Sequence, residues 1–171
     1  MLTCNCYLLG FMGAGKSYIA RHLGAVLQCS VMDLDAHIET IAGQSIASIF
    51  EEQGEAYFRK LEQEALHQTL ELSPSVIALG GGTPVYYNNM NWIKEYGKSI
   101  FLDPPVELLL QRLQQERTQR PLLASLDNNE FRASVINRLE QRRLVYEQAD
   151  CHIQATSQES IIKDCLTFLQ A

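Results

Sequence analysis

Positive charge is scarce in this sequence. Fourteen lysines and arginines face 20 aspartates and glutamates among 171 residues, a net charge of −6. Nucleic-acid surfaces need clustered cations, so no nucleic-acid partner is expected. Long apolar runs are also missing, so no segment is expected to span a bilayer and no membrane partner is expected. No basic leader or cleavage-site pattern precedes the first strand-like stretch, which points to the cytoplasm. The five cysteines (Cys4, Cys6, Cys29, Cys151, Cys165) contain no Cys-x-x-Cys pair, and none of the four histidines stands at zinc spacing from them. A redox pair and a zinc centre are therefore not expected, and Cys4 and Cys6 read as core thiols on one strand face. Repeats, linkers and low-complexity tracts are absent. With 46% hydrophobic and 20% charged residues, the chain reads as one globular domain over 1–171.

What the sequence does have is Gly10-Phe-Met-Gly13-Ala14-Gly15-Lys16-Ser17, which fits the phosphate-binding pattern G-x-x-x-x-G-K-[ST] at each required position. Cys4 to Leu9 reads as a buried strand, and Ile19, Leu23, Val26 and Leu27 give a helical stripe. The motif therefore joins a strand to a helix, the context in which it can cradle a triphosphate. Its glycines let backbone N–H groups turn inward, Lys16 supplies charge for the outer phosphates, and the Ser17 hydroxyl suits Mg²⁺.

A second strand, Ser30–Met32, leads into Asp33-Leu34-Asp35. Strand alternation would aim both aspartates into one cavity and Leu34 into the core. One carboxylate suits Mg²⁺ and the other suits a proton from an attacking hydroxyl; Asp35 would also cap a helix that starts at Ala36, a role compatible with catalysis. Helices are expected over 36–42, 45–53 and about 55–72, the last buried through Phe58, Leu61, Ala65 and Leu72. Arg59, beside that stripe, reads on composition as a solvated arginine, with Glu62 either steering it or pairing on the surface. A strand at Ser75–Leu79 runs into Gly80-Gly81-Gly82, either a backbone a ligand must touch or a plain turn. Further elements are a helix at 90–96, a strand at 99–102, a helix at 106–116, a long helix to about 148, a strand at 151–153 and a helix at 159–169. In the long helix Phe131, Val135 and Leu139 are apolar, with Arg138, Arg142 and Arg143 on or near the other side. Between them, Arg112, Arg117 and Arg120 lead into Pro121-Leu122-Leu123, a solvated face or a flap that closes over phosphates.

Together these residues resemble the shikimate kinase family across nearly the whole chain. The phosphate loop, Asp33-Leu34-Asp35 with Ile38-Glu39, Ser45-Ile46 to Phe50, Gly54-Glu55 with Phe58-Arg59 and Glu62, Gly80 to Gly82, Arg120 to Leu123, and Arg142 with Tyr146 stand in family order. The resemblance implies a three-layer P-loop kinase fold, in which helices flank a central parallel five-stranded sheet. It places substrate-binding helices at about 36–62 and a mobile lid at about 113–127. It implies transfer of the ATP γ-phosphoryl group to the 3-hydroxyl of shikimate, by a monomer. Ser17 and Asp33 would serve Mg²⁺, Asp35 would hold and deprotonate the hydroxyl, and Lys16 and Arg120 would act on the phosphates. The nucleotide would lie along Gly13 to Tyr18 with Arg112 near adenine. Shikimate would meet Arg59, Arg142 and the glycine triplet, in one hollow shared with the phosphate cradle. The chain departs from the family in having Tyr18 for Thr and Leu144 for Pro, and in one extra residue between Arg112 and Arg120. Arg143 is an alternative to Arg142. The competing readings are another small kinase of this architecture, for gluconate or a nucleoside monophosphate, and a nucleotide-gated switch, whose Asn-Lys-x-Asp and Asp-x-x-Gly signatures are absent.

Overall fold

A parallel strand covered on both faces needs apolar residues at every position rather than at alternate ones. Cys6-Tyr7-Leu8-Leu9 meets that demand, and in a computed structural model of the protein all four are fully buried. They lie in β1 (Asn5–Leu9), the centre of a five-stranded parallel sheet with β2 (Val31–Asp33), β3 (Val76–Ala78), β4 (Gly97–Leu102) and β5 (Cys151–Ile153), in the order β2-β3-β1-β4-β5. The flanking helices are α1 (Lys16–Leu27), α2 (Leu34–Ala42), α3 (Ile46–Gln68), α4 (Asn89–Tyr96), α5 (Val106–Gln115), α6 (Asn128–Tyr146) and α7 (Gln158–Gln170). The structure describes residues 2–115, 128–154 and 156–170. The lid expected over 113–127 lies outside them apart from residues 113–115, which close α5. Among the described residues no helix is long and apolar enough to cross a membrane.

The chain leaves β1 for β2 and leaves β3 for β4, so two neighbouring strands send it in opposite directions across the sheet. Right-handed crossovers then put the connecting helices on opposite faces and open a crevice at the strands' carboxyl ends. Gly10 and the glycine triplet follow those two strands, which is what brings them together.

Four local expectations are corrected. Val26 is 57% exposed, because α1 approaches the sheet through Gly24, where an added Cβ would collide with the Val31 side chain. The helix expected to reach Leu72 ends at Gln68; Thr69 turns inward to the Tyr7 hydroxyl at 2.8 Å, and Leu72 is left exposed. Asp35 is not a cap: Asp33 Oδ1 accepts from the Ala36 N–H at 3.2 Å, so α2 starts at Leu34 and Asp35 sits in its first turn. Cys4 precedes β1 and is only partly buried, so of the two expected core thiols only Cys6 is one. Gly54 (φ 80°) kinks α3 between the two expected segments, and Phe131, Val135 and Leu139 are the buried face of α6.

Candidate active site

The loop from β1 to α1 closes around a cavity of about 410 Å³ lined by Gly13 to Tyr18, Arg21, Asp33, Asp35, Gly81 and Arg112. Gly15 (φ 91°) precedes α1 in the left-handed region, a conformation a side chain would strain. The helix thereby points its unpaired N–H groups and positive end into the cavity. Lys16 Nζ donates to the carbonyls of Gly10 at 2.9 Å and Phe11 at 3.0 Å, across the mouth of the loop. Ser17 Oγ donates to Asp33 Oδ2 at 2.5 Å. From α5, Arg112 Nη1 reaches the Gly13 carbonyl at 2.9 Å and so drapes over the phosphate loop. The ring of Tyr18 packs on His22, centroids 4.1 Å apart.

Asp33 and Asp35 both face this cavity and Leu34 is fully buried, as expected. The cause is the first turn of α2 rather than strand alternation, since β2 has already ended. Burial raises the Asp35 carboxyl from its ordinary 3.8 to about 6; Glu62 and Asp33 push the same way, and Lys16 and Arg59 pull against them. A carboxylate held near 6 is mostly ionised at neutral pH yet basic enough to take a proton.

A second hollow, of about 590 Å³, adjoins the first and is lined by Glu55, Arg59, Tyr86, Arg138, Gln141 and Arg142 among others. The space expected as one hollow has two adjoining parts. Asp35 and Gly81 line the first, while Arg59 and Arg142, which line the second, come close behind them.

Arg59 is not the solvated arginine its composition suggested; it is 8% exposed. Its Nη1 donates to Glu62 Oε2 at 2.8 Å, and Nε and Nη2 donate to Glu55 Oε1 at 3.2 and 3.0 Å. Glu62, 1% exposed, also accepts from Thr83 Oγ1 at 2.6 Å, so it steers the guanidinium from inside the protein. Burial pulls the Arg59 pKa down, but Glu62 and Glu55 outweigh it and the net shift is upward. The cation stays charged where an acidic ligand would meet it.

The glycine triplet is more than a plain turn: Gly81 lines the cavity, and the absent side chains leave room for the protein's own charged groups. A Cβ on Gly80 would stand 2.6 Å from Asp35 Oδ1 and 2.8 Å from Glu62 Oε1; on Gly82 it would stand 2.5 Å from Arg59 Nη1. On Gly81 it would lie 3.2 Å from Arg142 Nη1. The protein's own charged side chains occupy the space side chains would fill there.

Arg142 and Arg143 point apart, as consecutive helical residues must. Arg143 binds Asp103 with both terminal nitrogens, at 2.7 and 2.9 Å, and Asp103 also accepts from Gln154 and bonds His152 Nε2 at 2.9 Å. Burial pushes the Asp103 carboxyl up, yet these partners hold it below its ordinary value. Arg142 is turned instead toward Gly81, whose carbonyl accepts from the Tyr146 hydroxyl. Burial pushes that hydroxyl up to about 12, so it remains a donor. Tyr86, Thr83 and the Asp103 cluster were missed by sequence reasoning, because each acts through a partner far along the chain; the Glu55–Arg59 pair was missed although its four-residue spacing on α3 offered it. Arg120 lies outside the described residues.

A phosphate loop at the switch point of a parallel sheet, two aspartates beside it and an arginine-lined hollow adjoining it define a P-loop kinase. Relatives bear on which kind. The family described as "Shikimate kinase" matches residues 12–171. A shikimate kinase of Flavobacterium johnsoniae is 37% identical over 166 residues, covering 95% of this chain and 96% of that protein. The crystal structure of shikimate kinase from Bacteroides thetaiotaomicron superposes with a TM-score of 0.92 at 33% identity, covering 98% of this chain and 99% of that one. Shikimate kinase from Acinetobacter baumannii, solved in complex with shikimate, superposes with a TM-score of 0.87 at 34% identity, covering 98% and 93%. The chain belongs to the shikimate kinase family.

Proposed function

We propose that this protein transfers the γ-phosphoryl group of ATP to the 3-hydroxyl of shikimate. The observation that carries this reading is the position of Asp35, whose buried carboxyl feels both Lys16 of the phosphate cradle and Arg59 of the second hollow. Shikimate would lie with its carboxylate on Arg59 and Arg142, its ring hydroxyls against the backbone of Gly80 to Gly82, and its 3-hydroxyl on Asp35. Asp35 takes the hydroxyl proton as the oxygen bonds to the γ-phosphorus and ADP departs. Lys16 and the N–H groups of Gly13 to Tyr18 neutralise charge on the phosphates, and Arg112 borders the nucleotide. A bidentate arginine suits the flat carboxylate of this acceptor.

Ser17 Oγ and Asp33 Oδ2 offer two hard oxygen donors within the cavity, a set that fits Mg²⁺. Among the described residues no three His, Cys, Asp or Glu gather as a metal cage. Phosphate oxygens and water would complete the shell, as Mg²⁺ prefers. The ion would supply further neutralisation of the transferring phosphoryl group.

In this reading the chain is one kinase domain, monomeric and cytoplasmic, acting on a small molecule. Five free thiols fit a reducing compartment. Arg120, with the segment around it, would complete the phosphate contacts. The test is a coupled ADP-release assay over shikimate, gluconate and nucleoside monophosphates, with ³¹P NMR of the product. Turnover with shikimate and a 3-phosphate ester are expected; turnover only with another acceptor, or none, would overturn the proposal.

A further inference from the structure

Tyr86 contributes to the second hollow in a way the proposed reaction does not use. Its ring centroid lies 4.3 Å from Arg59 Cζ. Its hydroxyl donates at 2.9 Å to Glu55 Oε1, the same oxygen that accepts from Arg59 Nε and Nη2. Gly82, four residues earlier in the same loop, presents bare backbone to the guanidinium: a Cβ there would stand 2.5 Å from Nη1, 2.8 Å from Cζ and 2.9 Å from Nη2. One short loop thus offers a single cation both an aromatic ring and an unobstructed main chain.

The donor count gives this arrangement a purpose. A guanidinium has five N–H groups. Among the described residues three are engaged, Nε and one on Nη2 with Glu55 and one on Nη1 with Glu62. One N–H is left on each terminal nitrogen, a two-pronged donor for a planar anion. It stays two-pronged only while Glu55 stays put. Glu55 is 53% exposed and on its own would sample many rotamers. The Tyr86 hydroxyl is its second anchor, and Arg59 and Tyr86, in that order, hold the Glu55 carboxyl below its ordinary pKa.

We propose that Tyr86 is a positioning residue for carboxylate recognition: its ring fixes the plane of Arg59 and its hydroxyl holds Glu55 on one edge, leaving the two remaining N–H groups for the acceptor's carboxylate. This rests on the reading of Arg59 given above. A cation held in this way loses less freedom when a carboxylate binds, which strengthens ground-state and transition-state binding alike. The effect therefore falls on KM for the acceptor and leaves turnover alone.

The test is steady-state kinetics of the full chain with magnesium ATP and shikimate, comparing wild type with Tyr86→Phe, Tyr86→Leu and Arg59→Ala. Tyr86→Leu is expected to raise KM for shikimate about tenfold, and Tyr86→Phe, which keeps the ring, about threefold. KM for ATP and kcat stay within about twofold. All three constants worsening together would show a merely structural part and overturn the proposal. If Arg59→Ala raises KM for shikimate while Tyr86→Leu does not, the proposal fails and the reading of Arg59 stands. If Arg59→Ala also leaves it unchanged, the reading of the hollow fails and takes the proposal with it. Should the leucine variant not fold, the phenylalanine variant decides by the same split.

Discussion

Replacing Asp35 with Asn should make the protein more stable and nearly inactive. Folding raises this carboxyl from 3.8 to about 6, so the native state binds its proton more tightly than the unfolded chain does. The penalty for carrying the ionised form is absent below about 3.8 and complete above about 6. Asparagine mimics the protonated acid at every pH and escapes that penalty. The gain is worth up to about 3 kcal/mol at pH 7.5 and about half that at pH 5, where the wild-type native state is already largely protonated. For a chain of this size, 3 kcal/mol raises Tm by roughly 6–12 °C. Losing a general base should lower kcat by about 10²–10⁴-fold, with nucleotide binding nearly unchanged. Thermal unfolding of both proteins at the two pH values, beside kcat and a nucleotide titration, tests the argument. Coincident unfolding at pH 7.5, a gain equal at both pH values, or a kcat near wild type would each refute it.

Wild-type kcat/KM for shikimate should fall as pH drops through about 6, because the base of the free enzyme must be ionised to accept a proton; a profile flat to pH 5 would assign that step elsewhere. Gly82→Ala adds a methyl 2.5 Å from Arg59 Nη1 at an ordinary φ of −92°, so it displaces the guanidinium without straining the backbone. KM for shikimate should rise at least about tenfold and KM for ATP should hold, since a displacement of this order suffices for such losses. Arg142→Ala and Arg143→Ala should separate cleanly: the first raises KM for shikimate at least about tenfold at nearly constant Tm, because it removes a charge-assisted contact. The second takes both Arg143 hydrogen bonds from the buried Asp103 carboxylate, leaving it His152 and Gln154, and costs about 1–3 kcal/mol of stability, read by denaturant unfolding, with little change in KM.

What could be read from the sequence is what neighbours in the chain settle among themselves. Gly10 to Ser17 is a complete local pattern, β1 announces itself by an unbroken apolar run, and the four-residue spacing of Phe131, Val135 and Leu139 gave the buried face of α6. Arg59 was misjudged from composition because what buries it comes from residues 82–86, and its link to Tyr86 is a contact between rings and cations that no spacing encodes. The choice between Arg142 and Arg143 stayed open for the same reason, since Asp103 is 40 residues from Arg143. The three glycines advertised a close approach but not what approaches, since Asp35, Glu62, Arg142 and Arg59 arrive from three different helices. Asp35 faced the right way for a reason other than strand alternation, because a side-chain cap at Asp33 moved the helix start by two residues.

The β1–β3 ladder pairs Cys6 with Val76 and Leu8 with Ala78, and the Leu79 N–H reaches the Leu8 carbonyl at 3.0 Å. Those bonds fix the phosphate loop and the glycine triplet at one spacing, a ruler between donor and acceptor in the proposed reaction. The phosphate loop hangs from the end of one strand and the glycine floor from the end of the other. A slip of one rung would shear the two apart by about 3.3 Å, roughly the gap a phosphoryl group has to cross. In the proposed reaction the alignment of donor and acceptor would thus be carried by main-chain hydrogen bonds in the middle of the sheet, away from the side chains that bind either one.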